Sequence, residues 1–529
     1  MAEHSFDLVV VGAGASGLLA AIAARRLGRN VLVVEATPLA GGSTAGSDGK
    51  LWLPANPLQA KLGVTDSSAE ALQYLDAVLG ETTEASTAER RAAYANLSGK
   101  IARWLVSSHV PLAVVKTLPD HHPDLPGGKA KGRVLATQPL DRRTLGDNAQ
   151  LLAPAQPERK GPLGMIPSAL PLPLPRNTAT SGEALVGNLL HRALANGVQL
   201  WLDAPVIGLL GDSDAVTGVR VRRTSGEVEV AAEQVLLASG GYEHSQDLRE
   251  EYLPLPTSAD WSITGVPNDG SLLTAAIGLG AATALLEEAW WTPVMLAEGR
   301  AYRLDSQRGK PHSLIVDTAG DRFFDEATFA HAAGRALYDR NRGVRAVPSY
   351  LIMDNRHRQA HQLGPWPAGK TPKQAIEAGE IVKAATLNDL AQAVGIDRAG
   401  LLGTVVRFNG FAAKDGDPDF RRGASTWDLA LGDHGNKKAT SVGKLEKQPF
   451  WAVPVYPGDS GTKGGLIIDA DSRVLRTDGT AISGLYACGG AAASLFKSAS
   501  PAPGVALGAA LVEAFAAVTD QRLGLRREL

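Results

Sequence analysis

Three glycines and one acid define the clearest chemistry in this chain. Gly12, Gly14 and Gly17 stand at G-x-G-x-x-G spacing, and Glu35 follows roughly 20 residues further on. Gly12 permits a tight turn, Gly14 lets a pyrophosphate approach the backbone, and Gly17 lets a helix pack closely on a strand. Ala15 and Ser16 open that helix, whose free N–H groups and positive dipole end suit phosphate. Glu35, followed by Ala36, lies where a carboxylate accepts ribose hydroxyls. A small-residue loop then comes at Gly41, Gly42, Ser43 and Thr44 and continues through Ser47, Asp48 and Gly49. Such a loop suits an extended cofactor whose far end passes close to backbone, so the expected cofactor is FAD, with this loop beside the isoalloxazine ring. Asp48 and Lys50 are charged residues in that loop, positioned to tune the flavin or touch substrate, or simply to pair with each other at the surface. His121 and His122 precede a proline, and their imidazoles titrate near neutrality, as a general base requires. Exposed loop histidines are the competing reading. His357 and His361 sit four apart with no Glu or Cys to complete a metal site, and read as surface residues. No metal is expected.

The elements that position these residues can be read from apolar runs. Leu8–Val11 and Val31–Val34 read as buried parallel strands, with a helix from about Ser16 to Leu27 between them. Residues 55–109 read as helical, and 111–175 as irregular, with a Pro-rich run at Pro167, Pro171, Pro173 and Pro175. A helix at 182–196 is followed by strands at 198–202 and 206–210, the second beginning at Val206. A hairpin about Ser225-Gly226 and a separate strand Val235–Ala238, ending in Ser239-Gly240-Gly241, lead back to the nucleotide-binding part. From about Trp290 the texture changes to strands and polar helices. Near Val453 it becomes Gly-rich again, through Gly489 to a last helix that includes Gly504, Val505 and Leu507. The fold expected is α/β. A Rossmann-type FAD-binding domain is built from both chain ends (1–289 and 453–529), with an inserted α+β catalytic or cap domain (290–452). Val206, Gly240, Gly489, Gly504, Val505 and Leu507 complete the expected FAD contacts.

A chain of 529 residues has room for two or three domains. Its net charge of −2 gives no electrostatic case for nucleic acid or an anionic membrane. With one cysteine, Cys488, it has no internal disulfide. The start is acidic and polar, unlike a signal peptide, and no apolar run reaches a membrane span of about 18 residues. A soluble cytoplasmic enzyme is expected, with its oligomeric state open.

With these pieces in place the sequence resembles the 3-ketosteroid dehydrogenase group of the fumarate reductase/succinate dehydrogenase flavoproteins. The likeness runs along nearly the whole chain. It rests on the FAD fingerprint, Gly240-Gly241-Tyr242-Glu243-His244, Glu288-Ala289-Trp290-Trp291, Asp321-Arg322-Phe323, Arg407-Phe408-Asn409, and Tyr456-Pro457-Gly458-Asp459 followed by Gly461-Thr462-Lys463-Gly464-Gly465. The resemblance implies removal of two hydrogens from adjacent carbons beside a ketone: an α-proton to a base, a β-hydride to flavin N5, and the ketone oxygen held by donors as charge develops. A quinone or other acceptor would complete the cycle. In that group the donors are tyrosines and one backbone N–H. The glycine that supplies the N–H is present as Gly504. The expected tyrosines are replaced by Ser500, by His121 or His122, and by one of Phe329, Ala330 or His331. The resemblance therefore assigns His121, His122, Ser500 and Gly504 to the reacting centre, with a steroid-like or smaller cyclic ketone as substrate. Among the residues themselves, Tyr302 or Tyr456 would be another source of a phenol, with packing the competing reading for Tyr456; His331 is a weaker candidate base that reads rather as a helix-surface residue of the cap, and Lys497 would neutralise an anionic group or else read as a solvated lysine. The dicarboxylate-binding branch fits less well: Gly461 stands in place of its histidine, and no arginine lies between Cys488 and Val518. Two alternatives stay open, a flavin-dependent reductase of an activated C=C bond and a non-catalytic FAD-binding electron carrier.

Overall fold

The computed structural model describes residues 4–155, 177–414, 416–435 and 440–519. The Pro-rich run at 167–175 lies outside them.

A central sheet carries the glycine turn. Its parallel core has the order 481–487, Gly226–Leu237, His4–Val11, Val31–Val34, Gln199–Trp201, with the short antiparallel strand Arg473–Leu475 at one edge. Leu8, Val9 and Val10 and all of Val31–Val34 are buried on both faces, which is why they read as continuous apolar runs rather than as alternation. The helix Ala15–Arg26 buries nine residues, eight of them Ala or Leu or Ile, against this sheet, beside the helices Ser181–Ala195 and Val505–Val518. The hairpin was expected to end before a separate strand. Instead one strand, Gly226–Leu237, pairs antiparallel with Val216–Arg223 over its first half and parallel with His4–Val11 over its second. The polar Glu233-Gln234 step that broke the apolar pattern is accommodated because buried Gln234 accepts from Arg29 and donates to the Ala517 carbonyl.

A second sheet is entirely antiparallel: Arg300–Arg303, Ala289–Ala297, Phe450–Thr462, Ser349–Met353, Ser313–Val316, with Val382–Ala384 also on the long strand. Phe450–Thr462 is its spine, and both expected boundaries, 289/290 and 452/453, fall within strands of this sheet. The helix Ala330–Asn341 packs across it, Leu387–Val394 and Arg398–Ala412 cover its outer end, and residues 55–109 form the helices Ser68–Leu79 and Ala88–Ser107. Among the described residues no helix is long and apolar enough to cross a membrane.

Candidate active site

A cavity of about 800 Å³ runs from the glycine turn to the junction of the two sheets. That volume is within the range of cofactor and ligand sites. Its nucleotide end is made largely of backbone. A Cβ at Gly17 would lie 2.0 Å from the Gly12 carbonyl oxygen, and one at Gly12 would lie 2.4 Å from the Ala238 oxygen. Gly14 is different: nothing comes nearer than 3.8 Å to its missing Cβ, so it leaves room on the cavity side. Glu35 accepts from the Ala13 N–H at 2.8 Å and from the Thr37 N–H and hydroxyl. One carboxylate thus ties the turn to the end of the second strand, and it still lines the cavity. Ala36, Gly42, Ser43, Thr44, Ser47, Asp48, Gly49, Val206, Gly240 and Gly489 lie along the same wall; Ser16, Gly504, Val505 and Leu507 do so from the two helix starts. Ala15 and Gly17 do not line it and support the turn from behind. This cradle fits a dinucleotide: its glycines leave space where phosphate would go, and the helix N-terminus beyond it supplies donors.

The other end is made of side chains. His121 is held by the turn that begins at Asp120, whose carboxylate accepts from Trp52 Nε1 (2.8 Å), Arg133 (2.9 Å) and the Lys129 N–H (3.0 Å). Its ring stacks on Phe329 at 4.3 Å and meets the edge of Trp427 at 4.5 Å. Its Nδ1 is 2.6 Å from the Ser500 carbonyl oxygen. A carbonyl only accepts, so Nδ1 carries the hydrogen and Nε2 keeps a lone pair. Burial pushes the imidazole down to about 3, so it is neutral at physiological pH. His122 does not line the cavity; its backbone N–H donates to the Tyr74 hydroxyl, and burial lowers its imidazole too.

His331 was expected at the helix surface and is buried instead, because the segment before the last helix packs over it. Its Nε2 donates to the Ser498 carbonyl at 2.7 Å, its Nδ1 has no partner among the described residues, and burial with the Lys463 charge keeps it neutral. Lys497, expected in solvent, instead donates to the Leu79 and Glu81 carbonyls. His357 is also buried rather than exposed, donating to the Gln307 carbonyl at 3.0 Å. No group of metal-ligating side chains occurs among the described residues. Tyr302 is buried in the core of the second sheet, and Tyr456 packs on Trp261 at 4.9 Å; neither lines the cavity. Asp48 faces both Lys50 and Arg303 at 3.5 Å.

Ser500 and Gly504 lie on the wall beside His121. Gly504 has φ +85 and precedes the helix Val505–Val518, and its N–H donates to no described residue. A Cβ there would come within 2.7 Å of the Lys50 carbonyl, so this close approach requires glycine. Trp427 and Asn268 also line the cavity and carried no sequence signal, while Glu243 and Lys463 line it too and were marked only as members of the motifs behind the resemblance, without a role. Glu243 is pushed up to about 7 by burial and the Asp459 charge while accepting from Asn268 at 2.6 Å. Buried Lys463 is bracketed by glycines in an otherwise strand-like run. Cys488 lies at the floor with its thiol buried and pushed upward by that burial.

The FAD binding domain family matches residues 7–507. The chain belongs to that family. Within it, the chain is 33% identical to the 3-oxosteroid 1-dehydrogenase of Mycolicibacterium smegmatis, with 98% of each chain covered. It is 32% identical to the 4-oxocyclohexanecarboxylate 2-dehydrogenase of Sinomonas cyclohexanicum, covering 96% of this chain and 91% of that one. The structure of the 3-ketosteroid Δ1-dehydrogenase of Sterolibacterium denitrificans, in complex with 1,4-androstadiene-3,17-dione, superposes with a TM-score of 0.92 at 32% identity, covering 97% of this chain and 99% of the other. The chain is thus a ketosteroid-dehydrogenase-like flavoprotein of the FAD-dependent oxidoreductases.

Proposed function

We propose that the flavoenzyme desaturates a cyclic ketone whose oxygen is received by the Gly504 N–H, with His121 Nε2 taking the α-proton. The observation that carries this reading is the Gly504 donor, which lies on the cavity wall at a helix N-terminus and is satisfied by no described residue. A donor fixed before the reaction stabilises enolate charge without reorganising, and a helix start adds its dipole. Ser500 adds a second polar group on the same wall. His121 stays in its proton-accepting form at every physiological pH. Holding a proton at neutrality would cost it about 5 kcal/mol, so the proton passes on to water rather than resting on the ring. Bound FAD supplies the acceptor for the β-hydride. Residues 1–289 and 453–529 would hold FAD, and 290–452 would cover the substrate.

The relatives act on a 3-oxosteroid and on 4-oxocyclohexanecarboxylate, so the substrate class is a steroid-like or smaller cyclic ketone. A single buried cysteine suits a reducing compartment, which supports a cytoplasmic enzyme served by a quinone or another small acceptor. The test is anaerobic flavin absorbance against a panel of saturated steroid ketones and small cyclic ketones. Bleaching by one class supports the reading and names the class. No bleaching by any of them, with re-oxidation of pre-reduced enzyme by an enone, would replace it by the reverse reaction.

A further inference from the structure

The segment that leads to Gly504 has no secondary-structure ladder, yet five consecutive carbonyls in it are taken by side chains or by one backbone donor. Lys463 Nζ donates to Lys497 O at 3.0 Å and to Ala499 O at 2.6 Å. His331 donates to Ser498 O, and His121 donates to Ser500 O. Pro501 O receives the Tyr74 hydroxyl at 2.7 Å and the His121 N–H at 2.8 Å. Buried backbone needs partners; here the partners come from four distant parts of the chain. Among the described residues Lys463 is the one whose side chain alone grips two of these carbonyls; His121 reaches two only by adding its backbone N–H to its ring. The Lys463 backbone is itself fixed, since its N–H donates to Glu288 O at 2.8 Å and its carbonyl accepts from Ser494. Its ammonium also lies 4.1 Å from the centre of the Trp290 ring.

We propose that Lys463, as an ammonium, is a positioning residue for the reaction: it clamps residues 497–499 and so sets where Ser500 and the Gly504 N–H meet the substrate. An ammonium has three donors and no acceptor. Two go to the carbonyls, and the charge faces an indole, which attracts a cation. A neutral amine would bring a lone pair against a carbonyl or the electron-rich ring, and the grip would fail. Glu288, the acid whose charge supports the ammonium, is already paired with Arg335 at 2.8 Å. The other polar groups facing Lys463 are His331, kept neutral, and Arg335, which opposes the charge. Burial holds Lys463 down to about 7, so the clamp is tight below that pH and loosens above it.

The inference rests on the reading of Gly504 as the ketone's donor, but the clamp can be measured without turnover. Hydrogen exchange on the FAD-loaded full chain, followed in peptides spanning residues 494–508, reports it. Lys463→Met should speed exchange there by about tenfold or more while peptides of the central sheet are unchanged. Lys463→Arg should recover much of the protection. In the unsubstituted enzyme, protection of the segment, corrected for the intrinsic pH dependence of exchange, should fall as pH rises through the Lys463 transition. With a ketone that bleaches the flavin, Lys463→Met should lower kcat about tenfold with KM moved less than about threefold. Unchanged exchange in Lys463→Met, or protection that is flat across the transition, overturns the clamp. If Lys463→Met does not accumulate, the pH series alone decides. Failure of the ketone reading shows separately, as absence of bleaching in the unsubstituted enzyme.

Discussion

The two ends of the cavity are built by opposite means. At the nucleotide end, residues close in sequence shape the backbone, and the side chains mostly stay out of the way. At the reacting end, His121, His331 and Lys463 converge from widely separated positions, and their side chains hold the backbone of residues 497–500 that carries Ser500. A cofactor common to many enzymes is met by local geometry; a particular substrate is met by long-range assembly. Failures should differ accordingly: damage at the first end removes the cofactor, and damage at the second leaves a loaded but slow enzyme.

The largest effect is expected at Gly17. A valine there has no room against the Gly12 carbonyl, so Gly17→Val should yield protein without bound flavin, read from absorbance of the purified chain. Retention of FAD would break the comparison. Gly504→Ala keeps its N–H but drives a methyl against Lys50, so kcat should fall about 10²-fold with FAD still bound. His121→Phe preserves stacking on Phe329 and removes Nε2. The expected loss is about 10²- to 10³-fold in kcat, with normal flavin content. A fall of less than about threefold would remove His121 from the chemistry and leave it as a support for Ser500.

Acid stability also depends on the buried histidines. His121 and His357 are both lowered to about 3 from 6.5 by burial. The unfolded chain therefore binds their protons first, and the stability they confer is complete above about 6.5 and lost as pH falls toward 3. Thermal unfolding of the unsubstituted enzyme should shift downward over that window, and less steeply in His121→Phe. The smallest effect should come from Ser500→Ala, about threefold or less in kcat, because its carbonyl rather than its hydroxyl carries the contact to His121.

This contrast also explains what the sequence revealed. The strands Leu8–Val11 and Val31–Val34, the helix between them and the Gly14 opening all follow from residues within one short stretch, where spacing maps directly onto geometry. The fold of the second part was legible as strands and helices, but not the long strand Phe450–Thr462 that unites them, because Pro454, Pro457 and Gly458 interrupt its pattern. His331 and His357 read as surface because helical periodicity shows which face a residue occupies, not what packs over that face. The clamp was invisible for a more basic reason: its acceptors are carbonyl oxygens, which every residue has and no sequence pattern marks.

Cys488 gives the molecule a reporter of its own. Its N–H joins the Leu237 carbonyl at 3.0 Å and its thiol is sealed beneath the cavity, so an alkylating reagent has no thiolate to meet in the closed protein. Modification then requires the floor to part, and with no second thiol in the chain the labelling rate counts those openings one at a time. Occupation of the cradle above should slow the count, which turns an inert core residue into a gauge of how firmly the nucleotide end is shut.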